Sequence, residues 1–410
     1  MSAIAAASPD RTDWWAVSTI VAAGIVAAMQ VGKGLIAGPL LQADLGIDLA
    51  SLGWLTSIFA IVGAIGGMPA GAPVAVIGDR RMLGTGIAVL ILGIVLGATS
   101  EYFTQLILSR VLEGFGFLLI VVAGPAILMR VVASPQRDVV FALWSCFMPA
   151  GMAIAMLIGP LVSSWQAIWW MNAVIALLTL LAIIATVSPS KITPRASSVA
   201  NFRADVAATL GSRGPLLLFA VFALYNLMMF TLFSFLPILL VARLNISFRT
   251  AGFLSALIML ANIFGSLAAG DMLSRGLGRG RLITVGASII GVSGLWIFLV
   301  PSGDATTVAL CVLFSAIGGL IPATLMSSVP ILAPRPVLAS MTMGLLLQGS
   351  SLGQLVGPVA VGAAIEVYGW TSGAAFVGVA ALVCVLLATI LDRALRAKAG
   401  GEPVVEHGGS

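Results

Sequence analysis

Charged side chains are scarce in this 410-residue chain: they make up 9% of its residues, whereas apolar residues make up 60%. A soluble domain carries about 25% charged residues, so the composition excludes a soluble globular protein. The mean hydropathy of +1.14 and the long uncharged runs instead predict helices that span a membrane. Strands of a membrane barrel would alternate polar and apolar residues, which these runs do not.

Residues that bind metals or perform catalysis are equally scarce. The three cysteines, Cys146, Cys311 and Cys384, stand alone in apolar runs and are interpreted as small core residues, so neither a metal site nor a disulfide is expected. The only histidine, His407, lies in the C-terminal tail. Serines within the apolar runs therefore lack the usual activating base. The sequence predicts a protein that is not an enzyme and uses no cofactor.

The apolar runs predict an all-α polytopic membrane protein with twelve transmembrane helices in two six-helix pseudo-repeats. The predicted spans are residues 14–42, 50–76, 82–100, 104–130, 139–164, 167–188, 214–243, 249–273, 281–300, 305–332, 337–365 and 370–393. The longest hydrophilic loop separates the sixth span from the seventh. The predicted parts are a cytoplasmic N-terminal segment at 1–13, a six-helix bundle at 14–188, a cytoplasmic central loop at 189–213, a second six-helix bundle at 214–396 and a disordered cytoplasmic tail at 397–410.

Positive charge is distributed unevenly over the predicted loops. With a cytoplasmic N-terminus, sixteen of the 20 lysines and arginines fall in the inside loops and the termini, and only Arg243 and Arg249 fall in the outside loops. This bias predicts a multi-pass protein of the cell inner membrane with both termini in the cytoplasm. It also accounts for the net charge of +5, so the lipid bilayer is an expected partner and nucleic acid is not.

The two halves of the chain repeat. The segment that begins at Leu45 aligns with the segment that begins at Leu244, an offset of 199 residues, and an offset of 198 relates two GlyPro pairs, Gly159-Pro160 and Gly357-Pro358. Two halves in the same orientation are typical of transporters whose substrate site lies between the halves near the middle of the membrane.

Away from the ends of the predicted spans, three charged residues lie inside them, where each charge costs on the order of 2.5–3.5 kcal/mol. Lys33 lies in the first span, three residues after Gln30 on the same helix face, and Arg110 and Glu113 share one face of the fourth span. At 1.5 Å per residue, the three charges lie roughly 9–14 Å below the outer boundary. They are therefore expected at one depth.

Two interpretations of this charged layer are open. Lys33 and Glu113 would form a buried pair that only locks two helices, with Arg110 bonded to backbone. Alternatively, two cations and one carboxylate leave a local charge near +1 that attracts an anionic substrate. In the second case Glu113 is the expected proton carrier, because burial penalises its charged form while the neighbouring cations favour that form.

The second half has no matching charges at the corresponding positions. Its candidate substrate contacts are uncharged residues on the seventh, eighth and eleventh predicted helices: Tyr225, Asn226, Asn262, Gln348 and Gln354. With the charged layer of the first half, they predict a site that has one charged wall and one mildly polar wall.

Several motifs resemble those of the major facilitator superfamily over essentially the whole chain. Residues 108–116, LSRVLEGFG, place Arg110 and Gly114 as in that family's fourth-helix pattern. The antiporter-type GlyPro motif of the fifth helix is similar to Gly159-Pro160, with an echo at Gly357-Pro358. The resemblance implies a twelve-helix secondary transporter with alternating access, whose first and fourth helices line a central cavity.

The loop after the second span departs from the family pattern. Gly71 and Gly78 match the two glycines of the family's cytoplasmic loop motif, and Asp79 and Arg80 match its distal end. Ala75 and Val76, however, occupy the places of the usual Asp-Arg pair. Residues 137–151 also resemble the fifth-helix opening of cyanate-permease-like and nitrate-porter-like branches.

These patterns predict a secondary active transporter, coupled to protons, for a small organic anion or an amphipathic compound that carries one. A proton-coupled exporter of drug-like or apolar compounds is a second hypothesis, which the GlyPro motif favours. A receptor on the same fold that transports nothing is a third hypothesis, from another class. A monomer that binds a small-molecule substrate is expected.

Overall fold

In the computed structural model, the described residues are 11–69, 78–133, 136, 140, 143–189, 199–335 and 338–399. All regular elements over these ranges are helices, which confirms the predicted all-α class. The helices of the first half are α1 (Trp14–Ile36), α2 (Gly38–Leu45), α3 (Leu49–Ser57), α4 (Ile61–Gly66), α5 (Asp79–Ala98), α6 (Phe103–Val131), α7 (Phe147–Ile158) and α8 (Trp165–Thr186).

A short amphipathic helix and the second half follow. The remaining helices are α9 (Val199–Leu210), α10 (Arg213–Phe233), α11 (Leu236–Leu244), α12 (Phe248–Ser274), α13 (Arg279–Leu299), α14 (Asp304–Gly318), α15 (Leu320–Leu332), α16 (Ala339–Tyr368) and α17 (Ser372–Ala399). Helix α9 lies inside the segment that was predicted as the central loop. Helix α17 continues to Ala399, and the rest of the predicted tail lies outside the described residues.

Within the described ranges, eleven segments are long and apolar enough to cross a membrane. The predicted span at 139–164 is represented by a shorter apolar segment, Phe147–Leu161, and several residues before it lie outside the described ranges, so the count of twelve stays a prediction. Several predicted spans are divided within their length. The first divides at Ala37 before Pro39, the second at a 3₁₀ turn over Ile58–Ala60, the seventh between Phe233 and Leu236, and the tenth at Gly319.

Local sequence explains where several helices begin. The side chain of Asp13 accepts a hydrogen bond from the backbone N–H of Ala16 at the start of α1, and Asp48 does the same for Ser51 at the start of α3. Such caps satisfy backbone donors that have no partner within the helix. A hydrogen bond from the side chain of Ser51 and one from its backbone N–H hold the pKa of Asp48 below its usual value, so this cap is charged at neutral pH.

Contacts between the two halves run along α3, α4 and α16, and between α7 and α12. Small residues allow these helices to approach closely, as in other membrane helix pairs. A Cβ added to Gly53 of α3 would lie 2.9 Å from the carbonyl carbon of Pro358 in α16. At the end of this contact, the carboxylate of Glu366 accepts a hydrogen bond from the backbone N–H of Leu49. Residues of the first and second halves therefore touch over the length of α3 and α4.

Candidate functional site

Lys33, Arg110 and Glu113 form one buried cluster, here called the charged triad. Lys33 Nζ lies 2.9 Å from Glu113 Oε1, and Arg110 Nη1 donates to Glu113 Oε2. The side chains of all three residues are fully buried. One carboxylate therefore binds both cations, and the triad has a net charge of +1, from two cations and one anion.

Arg110, the second cation of the triad, is stabilised by backbone carbonyls and an aromatic ring. Arg110 Nη2 donates to the carbonyl of Gln30 at 2.8 Å, and Arg110 Nε donates to the carbonyl of Leu55 at 3.3 Å. The guanidinium carbon lies 4.8 Å from the centre of the Phe59 ring. Arginine commonly stacks on aromatic faces in this way. Its donors and its flat face thus have partners from α1 and α3 and from the 3₁₀ turn after α3.

Lys33 lies against Trp169 of α8. Its Nζ is 4.5 Å from the centre of the indole ring, a distance at which an ammonium is attracted to the ring face. Glycines of α5 make room for this arrangement. A Cβ added to Gly93 would lie 2.8 Å from Glu113 Cγ, and one added to Gly97 would lie 2.7 Å from Trp169 Cδ1. A larger side chain at Gly93 would displace Glu113, and one at Gly97 would displace Trp169.

Gln30 lies one helical turn before Lys33, and it contacts α8 as well. Its Nε2 donates to the carbonyl of Val26 at 2.7 Å and to Asn172 Oδ1 at 3.1 Å. Its Oε1 is buried and has no hydrogen-bond partner among the described residues. The structure thus brings Gln30, Lys33, Arg110 and Glu113 together. It directs Lys33 and Gln30 toward α8 of the same half.

Sequence reasoning missed Trp169 and Asn172. Asn172 is the one amide in the uncharged run from Ala167 to Thr186, and it lies three residues after Trp169 on the same face of α8. This three-residue spacing on one helix face was the sequence feature that could have identified both residues as part of the site. The partner of Asn172 across the bundle was not predictable, because it depends on how α8 packs against α1.

Except for Gln348, the candidate contacts of the second half are buried and bond within that half. Asn226 donates to the carbonyl of Phe222, Asn262 donates to the carbonyl of Ser315, and Gln354 donates to Ser350 Oγ. The ring of Tyr225 stacks on that of Phe222 with centroids 5.8 Å apart. Among the described residues, no hydrogen bond or ion pair joins any of them to the charged triad.

Gln348 makes a different contact. Its Nε2 donates to the carbonyls of Ala64 and Ile65 in α4, at 3.1 Å each. A Cβ added to Gly67 would lie 2.6 Å from Gln348 Cγ. Gln348 therefore joins α16 of the second half to α4 of the first half, and its amide is occupied by this contact.

The residues predicted as a cytoplasmic loop motif are described only in part. Gly71 lies outside the described residues, and Gly78 precedes α5 with φ of +88°, a conformation that favours glycine. Asp79 binds Arg130 of α6, with Oδ2 2.8 Å from Nε and Oδ1 3.3 Å from Nη2. Arg80 donates to the carbonyl of Ile184 at 2.8 Å. Asp79 and Arg80 thus join α5 to α6 and α8.

The glycines and prolines of the other motifs lie at helix contacts. A Cβ added to Gly114 would meet the carbonyl of Phe59, and one added to Gly159 would lie 2.6 Å from Ile36 Cγ2. Pro160 lies in a 3₁₀ turn at the end of α7, against Gly252 of α12. Pro358 lies inside α16.

Gly357, the residue before Pro358, faces α10. A Cβ there would lie 3.3 Å from the carbonyl of Leu227. The first GlyPro pair thus lies where α7 meets α12, and Pro358 lies where α16 meets α3. These are the main contacts between the halves among the described residues, so both prolines lie where a rearrangement of the halves would change the packing.

Comparison with known proteins matches the chain to one family. The family model described as Major Facilitator Superfamily matches residues 19–343. Puromycin resistance protein pur8 of Streptomyces alboniger is 28% identical over 179 residues, which are 42% of this chain and 35% of that protein. The chain therefore spans about a third of the length of this curated relative.

Two solved structures share the fold over nearly the whole chain. A bacterial homolog of the human lysosomal transporter Spinster, in an inward-facing and unoccupied conformation, superposes with a TM-score of 0.73, 14% identity and coverage of 95% of this chain and 99% of that one. A variant of the nucleoside transporter NupG superposes with a TM-score of 0.70, 13% identity and coverage of 94% and 99%. At these identities the likeness establishes the fold alone.

Proposed function

Since the chain belongs to the major facilitator superfamily and is a multi-pass membrane transporter, we propose that it is a secondary active transporter driven by protons. In this proposal, residues 14–188 and 214–396 are two six-helix bundles that a cytoplasmic loop at 189–213 connects. They rock about a site between them and expose it to each side in turn. The protein acts as a monomer in the cell inner membrane, with both termini in the cytoplasm.

The observation that carries the proposal is the charged triad. Three fully buried charges in apolar helices are costly. Apolar side chains of similar volume would hold α1 and α6 together without the cost of removing charges from water. Ionisable residues inside membrane helices characteristically mark ion pathways and proton relays. The triad is therefore proposed as the proton-coupling site.

For the substrate we propose an amphipathic organic compound with a largely apolar body, which the protein exports. The uncharged candidates of the second half support this choice. The amide nitrogens of Asn226, Asn262 and Gln354 each donate a hydrogen bond within the second half, and Tyr225 presents a stacked ring. A wall of this kind favours apolar contact over the binding of a strongly charged solute. The partial similarity to a puromycin resistance protein supports export.

A small organic anion is the second candidate substrate. The net charge of +1 on the triad favours it, because an anion that reaches the site would neutralise the excess cation. Against it, both cations are already bound to Glu113, so an anion would have to replace this carboxylate as their partner. This competition ranks the anion below the amphipathic compound.

The test uses inverted membrane vesicles that contain the full chain. An imposed gradient, acidic inside, should drive accumulation of labelled puromycin, the amphipathic probe, and a protonophore should abolish it. The double variant Lys33→Met with Glu113→Gln removes both groups of the triad that can exchange a proton. It should abolish this accumulation while leaving exchange of puromycin across the membrane partly intact. The matched control is Arg275→Gln, which removes an ion pair that is 72% exposed on its arginine side and should accumulate puromycin as the wild type does.

Other outcomes identify the competing hypotheses. Gradient-driven accumulation of labelled small carboxylates in place of puromycin would support the anion substrate. Wild-type transport by the double variant Lys33→Met with Glu113→Gln would show that the triad only locks two helices. Gradient-independent binding without movement of any probe would contradict transport itself and support a receptor.

A further inference from the structure

The charged triad contains two groups that can exchange a proton under physiological conditions, Lys33 and Glu113. We propose that Lys33, rather than Glu113, releases and regains the coupling proton. This inference rests on the proposed proton coupling, but it assigns the proton to the amine instead of the carboxylate. Arg110 is excluded as the carrier, because a guanidinium does not lose its proton in proteins.

A proton added to Glu113 would have no hydrogen-bond acceptor. Oε1 accepts from Lys33 and Oε2 accepts from Arg110, and each oxygen keeps a second lone pair. An ammonium and a guanidinium are donors only, so neither partner could accept a hydrogen bond from a protonated carboxyl group. In the described structure, neither oxygen has another hydrogen-bond partner that could accept it.

Loss of a proton from Lys33 leaves the hydrogen bonds of the cluster in place. A neutral amine still has two N–H donors, so it keeps its hydrogen bond to Glu113, and it gains one lone pair. The contacts of Arg110 with Glu113, Gln30 and Leu55 do not involve Lys33. The same geometry thus serves both protonation states of the amine.

The net charge of the triad also distinguishes a proton carried by Glu113 from one carried by Lys33. Protonation of Glu113 would leave two cations and no anion, a net charge of +2. Deprotonation of Lys33 would leave Arg110 paired with Glu113, a net charge of zero. A buried site disfavours net charge, so the cluster alternates between +1 and zero more readily than between +1 and +2.

The surroundings of Lys33 contain no further charge that would change this count. Helix α1 packs against α2, α3, α5, α6, α7, α8 and α11 and the turn at Gly159–Leu161. Among the described residues of these elements, charged groups other than the triad lie near helix ends: Asp44, Asp79, Arg80, Arg81, Arg130 and Arg243. Asp44 binds Trp165 Nε1, Asp79 binds Arg130, and Arg243 donates to the carbonyl of Phe298.

Trp169 supplies a direct optical reporter of the proposed event. The ammonium of Lys33 lies over its ring, and the fluorescence of an indole responds to a charge placed at its face. Trp169→Phe identifies the share of the signal that comes from this ring. The reporter needs no substrate, so the assignment is testable on the purified full chain.

The experiment records tryptophan fluorescence and infrared difference spectra of the full chain in lipid nanodiscs while pH is raised. The wild type should show one transition in the Trp169 signal without the appearance or loss of a protonated carboxyl band. Lys33→Met and Lys33→Arg should both lose this transition. Lys33→Arg keeps the charge and a donor to Glu113, so it covers the case in which Lys33→Met fails to fold. Arg275→Gln is the matched control and should titrate like the wild type.

Glu113→Gln separates the two assignments. If Lys33 carries the proton, this variant should keep the transition but shift it to lower pH, because the carboxylate that favours the ammonium is gone. Loss of the transition in Glu113→Gln, together with loss of a carboxyl band that the wild type shows, would assign the proton to Glu113. A wild type without a pH-dependent Trp169 signal would overturn the proposal as well.

Transport measurements distinguish failure of this inference from failure of the proposed function. In inverted vesicles, Lys33→Arg should lose gradient-driven accumulation of puromycin but retain exchange. Gradient-driven accumulation at the wild-type rate in this variant would refute Lys33 as the carrier and leave proton coupling intact. If the wild type shows the expected Trp169 transition but its transport does not respond to the proton gradient, the proposed coupling is refuted.

Discussion

Replacement of Glu113 by glutamine is expected to destabilise the protein more than replacement of Lys33 by methionine. The wild-type triad holds two cations and one carboxylate. Glu113→Gln leaves both cations without an anion, a net charge of +2. Lys33→Met leaves the ion pair between Arg110 and Glu113, a net charge of zero. Although both variants remove the Lys33–Glu113 ion pair, only Glu113→Gln leaves buried charge uncompensated.

The magnitudes follow from the contacts. Removal of the anion from a buried ion pair typically costs about 3–5 kcal/mol, which is the loss expected for Glu113→Gln. Lys33→Met loses a charge-assisted hydrogen bond worth roughly 1.5–3 kcal/mol. It also removes a buried charge and replaces the side chain with one of similar volume. We therefore expect a net loss below about 2 kcal/mol for Lys33→Met.

The double variant tests the same reasoning. Lys33→Met with Glu113→Gln returns the net charge to +1, carried by Arg110, which keeps the carbonyls of Gln30 and Leu55. Its stability should lie between the two single variants, so that Lys33→Met partly rescues Glu113→Gln. Such non-additivity is the expected sign of residues in one network.

The assay is reversible unfolding of the purified variants in mixed micelles, with Arg275→Gln as the control, which should lie within about 0.5 kcal/mol of the wild type. The reasoning would be refuted if Lys33→Met were as destabilised as Glu113→Gln, or if the double variant were less stable than both. Either result would mean that Lys33 is the group that holds α1 to α6.

Three further predictions concern the orientation in the membrane, the contact between the halves, and the ion pair of Asp79 with Arg130. Cysteine at Asp304 should react with an impermeant reagent added outside intact cells, and cysteine at Lys398 should react only after the membrane is opened; external labelling of Lys398→Cys would contradict the predicted topology. Gly53→Leu should hold α3 away from Pro358. A cysteine that replaces the buried Gln354 should then react with a reagent added from outside. An unreactive cysteine would show that α16 moves to make room for the leucine. Arg130→Met should leave Asp79 without its half-buried partner. The free energy of unfolding should fall by about 1–3 kcal/mol, as measured by the same micelle assay. An unchanged value would show that stability does not depend on this ion pair.

The sequence alone was sufficient to identify the class of protein. Low charge and long apolar runs require helices in a membrane, because lipid offers backbone groups no other partner. The offset between the halves and the motif at Arg110 and Gly114 led to the family that the comparison then established. The spacing of Lys33, Arg110 and Glu113 also placed the three charges at one depth, since the rise of a helix is constant.

Only the tertiary structure decided how these charges are partnered. Helical spacing shows that Arg110 and Glu113 share a face, but the rotation of α1 and α6 against their neighbours depends on packing. The glycines of α5 at positions 93 and 97 let that helix approach Glu113 and Trp169, and α8 brings the Trp169 ring to Lys33. Both contacts join residues far apart in the chain, and no local pattern encodes which helices meet. For that reason the structure was needed to show one carboxylate shared by two cations beneath an indole ring.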